Sequence, residues 1–181
     1  AAVADQARTL THVSNLYYTA PQVELAKRLV DHSFADRVFF TNSGTEAIEG
    51  ALKFARKRAR KAFGEGKHEI VAFTGGFHGR SFMAMSLTGK TAPYKRSFGP
   101  LPGEIFHVPL PVAHFGVSVE DSLHAIEQVF KADVAADEVA AIILEPVQGE
   151  GGFHQAPTEL MRALRAMCDQ HGIVLIADEV Q

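Results

Sequence analysis

The sequence contains one cysteine and no tryptophan, and charge of neither sign dominates it. A lone thiol excludes an internal disulfide. Cys168 falls in an apolar helical pattern with Leu160, Leu164 and Met167, where a buried structural thiol is expected rather than a nucleophile. Long apolar runs are also missing. No stretch approaches the ~18 residues of a membrane span, and Ala1 to Leu10 lacks the charged-then-apolar layout of a leader, so no membrane partner and a reducing, cytoplasmic setting are expected. With 18 Lys and Arg against 21 Asp and Glu, the net charge of -3 gives no global field for nucleic acid or an anionic surface. The nine histidines show no metal-ligand spacing such as H-E-x-x-H, so no metal is expected. The basic run Lys53, Arg56, Lys57, Arg58 and Arg60 reads as the wet face of a helix. Small-molecule partners are what remains.

What is present suffices for a core, since 46% of the residues are hydrophobic and 22% charged, over a length that suits one sizeable domain or a large part of one. Thr19-Ala20-Pro21-Gln22 has capping-box spacing, and Val23, Ala26, Leu29 and Val30 follow at helical intervals. Arg37 to Thr41 is expected as a short strand because Val38-Phe39-Phe40 is a continuous β-favouring run. From Glu46 to Lys61 a stripe of Ile48, Ala51, Leu52, Ala55 and Ala59 predicts a helix whose acids come early and bases late. Strands are expected at Ile70 to Phe73, Ile105 to Val108, Ala140 to Leu144 and Ile173 to Ala177, the last being the most apolar. Helices are expected from Ser81 to Leu87, after the Ser118/Asp121 capping box, and from Pro157 to His171. Residues 88–118 are otherwise punctuated by Pro and Gly. Strands that are apolar throughout and alternate with helices predict an α/β fold, a mostly parallel sheet flanked by helices on both faces.

In such sheets ligands gather beyond the carboxyl ends of the strands. Ser43-Gly44-Thr45 lies between a predicted strand and a helix start, where free N–H groups and two hydroxyls suit a phosphate; Ser43 and Glu46 are equally spaced as a capping box that needs no ligand. Asp178 directly follows an apolar strand and calls for a cation such as a protonated pyridine nitrogen, or for an ion pair or helix cap. Phe77 offers a flat ring and Arg80 a guanidinium for a carboxylate, beside the plainer readings of a core aromatic and a solvated cation. Glu145 ends a strand before Pro146. Gln148 to Gly152 reads as too flexible for a core element, and a surface turn would explain Glu150.

Taken together, Asn42-Ser43-Gly44-Thr45-Glu46-Ala47, Gly76-Phe77-His78-Gly79-Arg80, Glu145 to Gly152 and Ala177-Asp178-Glu179-Val180-Gln181 resemble the class III aminotransferases in order and spacing over nearly the whole chain. The resemblance implies the large domain of fold type I pyridoxal-phosphate (PLP) transferases, with residues 1–36 leading into it and 37–181 forming its PLP-binding part. It implies phosphate at Ser43, Gly44 and Thr45, Phe77 stacked on the pyridine ring with His78 beside it, Asp178 at the ring nitrogen and Gln181 near the ring hydroxyl. In the 4-aminobutyrate branch it implies Arg80 on a substrate carboxylate, Glu145 beside the reacting centre, and Glu150 paired with an arginine of the C-terminal part.

Leu87-Thr88-Gly89-Lys90, Pro93-Tyr94 and Phe98 to Gly103 look most like 4-aminobutyrate aminotransferases, while Ser14-Asn15-Leu16-Tyr17-Tyr18 with Pro21-Gln22 is similar to the acetylornithine branch. The implied reaction moves an amino group from an ω-amino acid to 2-oxoglutarate, in a homodimer. An acetylornithine or ornithine aminotransferase, an aminomutase of the same family, and an inactive truncated remnant are the alternatives. The family's Schiff-base lysine is expected a few tens of residues beyond Asp178, whereas the last lysine here is Lys131 and Lys90 is no substitute. The chain starts on alanine and ends straight after an apolar strand, so it reads as an incomplete domain, inactive alone.

Overall fold

In the computed structural model, which describes residues 1–14 and 16–180, the chain divides into two units, Ala1–Phe40 and Thr41–Gln181. The first holds α1 (Ala2–Thr9) and α2 (Ala20–Asp31), neither of which buries a residue. Pro21 stands in the first turn of α2, where its missing N–H costs nothing. The expected Thr19 cap is not made, because that side chain forms no capping hydrogen bond. The strand expected at Arg37 to Thr41 is also not formed. It belongs to neither sheet, and β-favouring side chains make a strand only where a neighbouring backbone pairs with it.

The second unit carries α3 (Gly44–Phe63), β1 (Glu69–Phe73), α4 (Phe82–Leu87), β2 (Ile105–Val108), a 3-10 turn (Ala113–Phe115), α5 (Val119–Ala132), β3 (Val139–Leu144), β4 (Val147–Gln148), β5 (His154–Gln155), α6 (Thr158–His171) and β6 (Val174–Ala177). The α5 capping box forms as expected, with Ser118 Oγ accepting from Asp121 N and the Asp121 carboxylate accepting from Ser118 N. Gly172 closes α6 in the left-handed conformation at φ 65°.

Four strands pair in the order β2-β1-β3-β6, all parallel. Alternate residues of each strand face opposite helices. Val71 and Phe73 with Ile142 and Leu144 pack under α5 and α6 through Ile126, Leu160, Leu164 and Cys168. Ile70 and Ala72 with Ala141 and Ile143 pack under α3 and α4 through Ile48, Leu52, Ala55 and Leu87. Burial on both faces explains why β1 and β3 read as unbroken apolar runs. β6 departs from expectation: although strongly apolar, its residues are half-buried and Ala177 is exposed, because it is an edge strand among those described.

The register sets up a site. Ala72 pairs with Ile143 and Leu144 with Ala177, so the chain leaves β1, β3 and β6 at one level. From β1 the chain moves outward to β2 and then returns to the other side of β1 for β3, and ligands bind at such a reversal. At the other end of the sheet, buried Lys67 donates to the carbonyls of Ala136 (3.4 Å), Asp137 (3.2 Å) and His171 (3.0 Å), tying three loops together. Burial lowers its pKa.

Candidate active site

Glu145 is the first residue past β3 and Asp178 the first past β6, and both are buried, at 1% and 7% exposure. Each finds its partners in the loop after β1 or close by. Glu145 Oε2 accepts from Phe77 N at 2.9 Å and Oε1 from Gly149 N at 3.2 Å. Burial raises the Glu145 pKa, and these two backbone bonds oppose the rise. Asp178 Oδ2 lies 2.8 Å from His78 Nδ1 and Oδ1 accepts from Val180 N at 3.2 Å. A carboxylate can only accept, so Nδ1 carries the proton and donates. His78 Nε2 is left buried with no partner among the described residues.

Ser43 caps α3, its hydroxyl accepting from Glu46 N at 3.2 Å. The reciprocal arm of the expected box does not return to Ser43; Glu46 Oε2 accepts instead from Asn42 N (2.7 Å) and Asn42 Nδ2 (2.9 Å). Gly44 and Thr45, in the first turn, have N–H groups with no acceptor inside the helix. Two glycines make room for them. A Cβ on Gly44 would sit 2.9 Å from Val180, and one on Gly79, whose φ is 124°, 2.2 Å from Thr45 Oγ1. The result is a cavity of about 170 Å³ lined by Ser43, Gly44, Thr45, Phe77, His78 and Asp178, with Gly79 and Val180 at its edge. Seven of the residues singled out in the sequence thus face one space or, for Glu145, brace its Phe77. Gln181 lies outside the described residues.

Arg80 and Glu150 lie elsewhere. Arg80 is exposed, its guanidinium 5.2 Å from the centre of the Phe77 ring. It lines a second cavity of about 520 Å³ with Phe82, Met85, Pro93, Tyr94 and Phe98. Gly79 borders both cavities. Glu150 is exposed and accepts from Tyr94 Oη at 3.0 Å.

Two further residues were not singled out from the sequence for any role of their own. Tyr94 packs its ring 5.1 Å from that of Phe77. Gln148, expected in a flexible turn, is 2% exposed and, paired with His154, ends β4 of the β4–β5 hairpin. Its Nε2 donates to Thr74 O at 2.8 Å, and its Oε1 occupies the space that a Cβ on Gly75 (2.7 Å) or Gly151 (2.5 Å) would need. Far from the site, His68, Glu69 and Glu104 gather at the start of β1 and β2, where Arg56 Nη2 lies 3.5 Å from Glu104 Oε2.

The class III aminotransferase family model matches residues 1–181. The chain belongs to the class III aminotransferases. It is 46% identical to 5-aminovalerate aminotransferase DavT of Pseudomonas putida, with all of this chain and 42% of that protein covered. It is 44% identical to an acetylornithine aminotransferase of Methanocaldococcus jannaschii, over 99% of this chain and 41% of that protein. The crystal structure of an amine transaminase from an uncultivated Pseudomonas species, in its PLP-bound form, superposes with a TM-score of 0.88 at 31% identity, over 99% of this chain and 43% of that one. The class III chain therefore spans about two fifths of the length of these relatives.

The residues present fit the PLP that this family implies. Unpaired N–H groups at the start of α3 suit a phosphate dianion, Phe77 lines the same cavity, and the buried Asp178 carboxylate opens into it. Among the described residues no helix is long and apolar enough to cross a membrane.

Proposed function

We propose that this protein is a PLP-dependent transaminase that takes the amino group of an ω-amino acid and passes it to 2-oxoglutarate. The observation that supports this most is the pair of adjoining cavities that meet at Gly79. Among the described residues lining the larger one, Arg80 is the one charged group in an aromatic and aliphatic wall. A methylene chain suits that wall and its terminal carboxylate suits Arg80, which leaves the amino end directed toward the smaller cavity.

When bound, PLP supplies an aldehyde that takes up the amino group and a protonated ring that draws electrons from the reacting carbon. The chain's own residues then divide the work. Ser43, Gly44 and Thr45 would hold the phosphate by hydroxyls and N–H groups at the positive end of α3. Phe77 would cover one face of the ring, kept in place by the Glu145 carboxylate on its N–H. Asp178 would accept from the ring nitrogen and favour its protonated form, while the His78 donor fixes the orientation of that carboxylate. Glu145 would present a buried acid beside the reacting centre, and Glu150 a carboxylate at the substrate side. A cytoplasmic homodimer is part of the same reading. Exposed Leu16, Tyr17, Tyr18 and Phe34 supply apolar surface for a second copy to cover.

A relative named 5-aminovalerate aminotransferase supports the ω-amino acid donor. The similarly close acetylornithine aminotransferases support a second reading, with an acylated diamino acid as donor. Glutamate formation from 2-oxoglutarate by the whole protein, measured with 4-aminobutyrate, 5-aminovalerate and N-acetylornithine, separates them. Faster turnover of the first two supports the proposal and a preference for the third overturns it. Amino transfer within one substrate without any acceptor would mark an aminomutase.

A further inference from the structure

Tyr94 sits where the two candidate substrate groups and the ring-covering aromatic meet. Its hydroxyl donates to Glu150 at 3.0 Å, its ring packs 5.1 Å from Phe77 at 54°, and the same ring lines the cavity that holds Arg80. The Arg80 guanidinium rests over the other partner, 5.2 Å from the Phe77 ring centre. The segment bearing Tyr94 is anchored independently, since Lys95 Nζ donates to Ser86 O at 3.0 Å. A tyrosine fixed at both its hydroxyl and its ring has lost most rotamer freedom, so the shape of the cavity wall is set in advance of substrate.

We propose that Tyr94 is a specificity-determining residue of the substrate cavity: held by Glu150 and Phe77, its ring fixes how long a methylene chain can lie between the PLP cavity and Arg80. This rests on the transaminase reading above and deepens it by naming what measures the donor. The Tyr94 hydroxyl is protonated at neutral pH and so is available as the donor, and its hydrogen bond to Glu150 raises its pKa further. Without that bond only the packing on Phe77 holds the ring, the depth of the cavity is less sharply set, and donors of different length are less well told apart. The residue acts on binding of the carboxylate-bearing chain and not on proton movement, so its signature is in KM.

The test uses the whole PLP-loaded protein with straight-chain ω-amino acids of four, five and six carbons. Tyr94→Phe keeps the ring and removes the bond. It is expected to raise KM for the preferred donor about fivefold with kcat within about twofold, and to flatten the preference among chain lengths. Binding of valerate, which has no amino group to transfer, is expected to weaken by about the same factor in equilibrium titration. Added to Glu150→Ala, which leaves no side-chain acceptor, Tyr94→Phe is expected to change KM by less than about twofold, because the shared bond is already gone. The proposal is overturned if Tyr94→Phe leaves the chain-length ranking and valerate affinity unchanged, if kcat falls equally for every donor, or if the two substitutions add in full. A wild-type protein that loads PLP but transaminates no ω-amino acid would overturn the functional reading, and this proposal with it.

Discussion

His78 Nδ1 and Asp178 Oδ2 lie 2.8 Å apart across 100 residues of sequence, with side-chain exposures of 0% and 5%. The parallel sheet makes this contact possible. β1 delivers His78 through a glycine turn, β6 delivers Asp178, and β3 between them delivers Glu145 at the same level. Three separate strand ends therefore supply one buried polar cluster, and each of its members depends on the pairing of the strands rather than on local chain geometry.

Gly79→Ala is expected to harm the site more than its small size suggests. Its Cβ would fall 2.2 Å from Thr45 Oγ1 at a φ of 124°, forcing the β1 loop and the start of α3 apart. The expected cost is about 2 kcal/mol or more, with weakened PLP uptake. Gly64→Ala is the control, since its φ is 90° but nothing lies within 4 Å of the added atom. Urea midpoints and PLP titration of both variants check this, and equal behaviour of the two would contradict it.

Lys67→Met should destabilise the fold without touching the site. The lysine supplies hydrogen bonds to three carbonyls at the far end of the sheet, and methionine fills the space but leaves those acceptors bare. The expected loss is about 1–3 kcal/mol, read from chemical denaturation, with PLP affinity unchanged.

Cys168 should be a reporter of unfolding rather than a reactive thiol. It is fully buried between α6 and the sheet, and burial pushes its pKa up from 9.0 to about 11. At about pH 8 the thiolate should be about 100-fold scarcer than at an ordinary thiol, so alkylation is expected only after unfolding. The sign for stability follows. The folded state keeps this proton to higher pH than the unfolded state, so the thiol's contribution is fully present below the ordinary value of 9.0 and lost as pH rises through about 11. Cys168→Ala should flatten that alkaline loss in denaturation midpoints.

The centre of the sheet was legible because burial on both faces demands unbroken apolar runs, and Ile70 to Phe73 of β1 and all of β3 are such runs. Glu145 and Asp178 were legible for the same reason: each is the first polar residue after a strand, where a carboxylate has to have a partner. Arg37 to Thr41 shows the limit of this reasoning, since Val38-Phe39-Phe40 has strand composition but joins neither sheet among the described residues. Gln148, Tyr94 and Lys67 were hidden differently. Each is one polar residue in or beside a loop, and its partners are Thr74, Glu150 and a set of distant carbonyls. No local pattern encodes such pairings; they exist only once the strands are in register.

In the proposed reading the start of α3 and Asp178 grip one PLP molecule. Absorbance titration of the whole protein with PLP, wild type beside Asp178→Ala and each assayed for turnover, tests it most directly. Saturable uptake by the wild type is expected, and in Asp178→Ala a fall in turnover of about 100-fold or more even at full loading. A wild type that takes up no PLP, or an Asp178→Ala protein that loads and turns over as the wild type does, would contradict it.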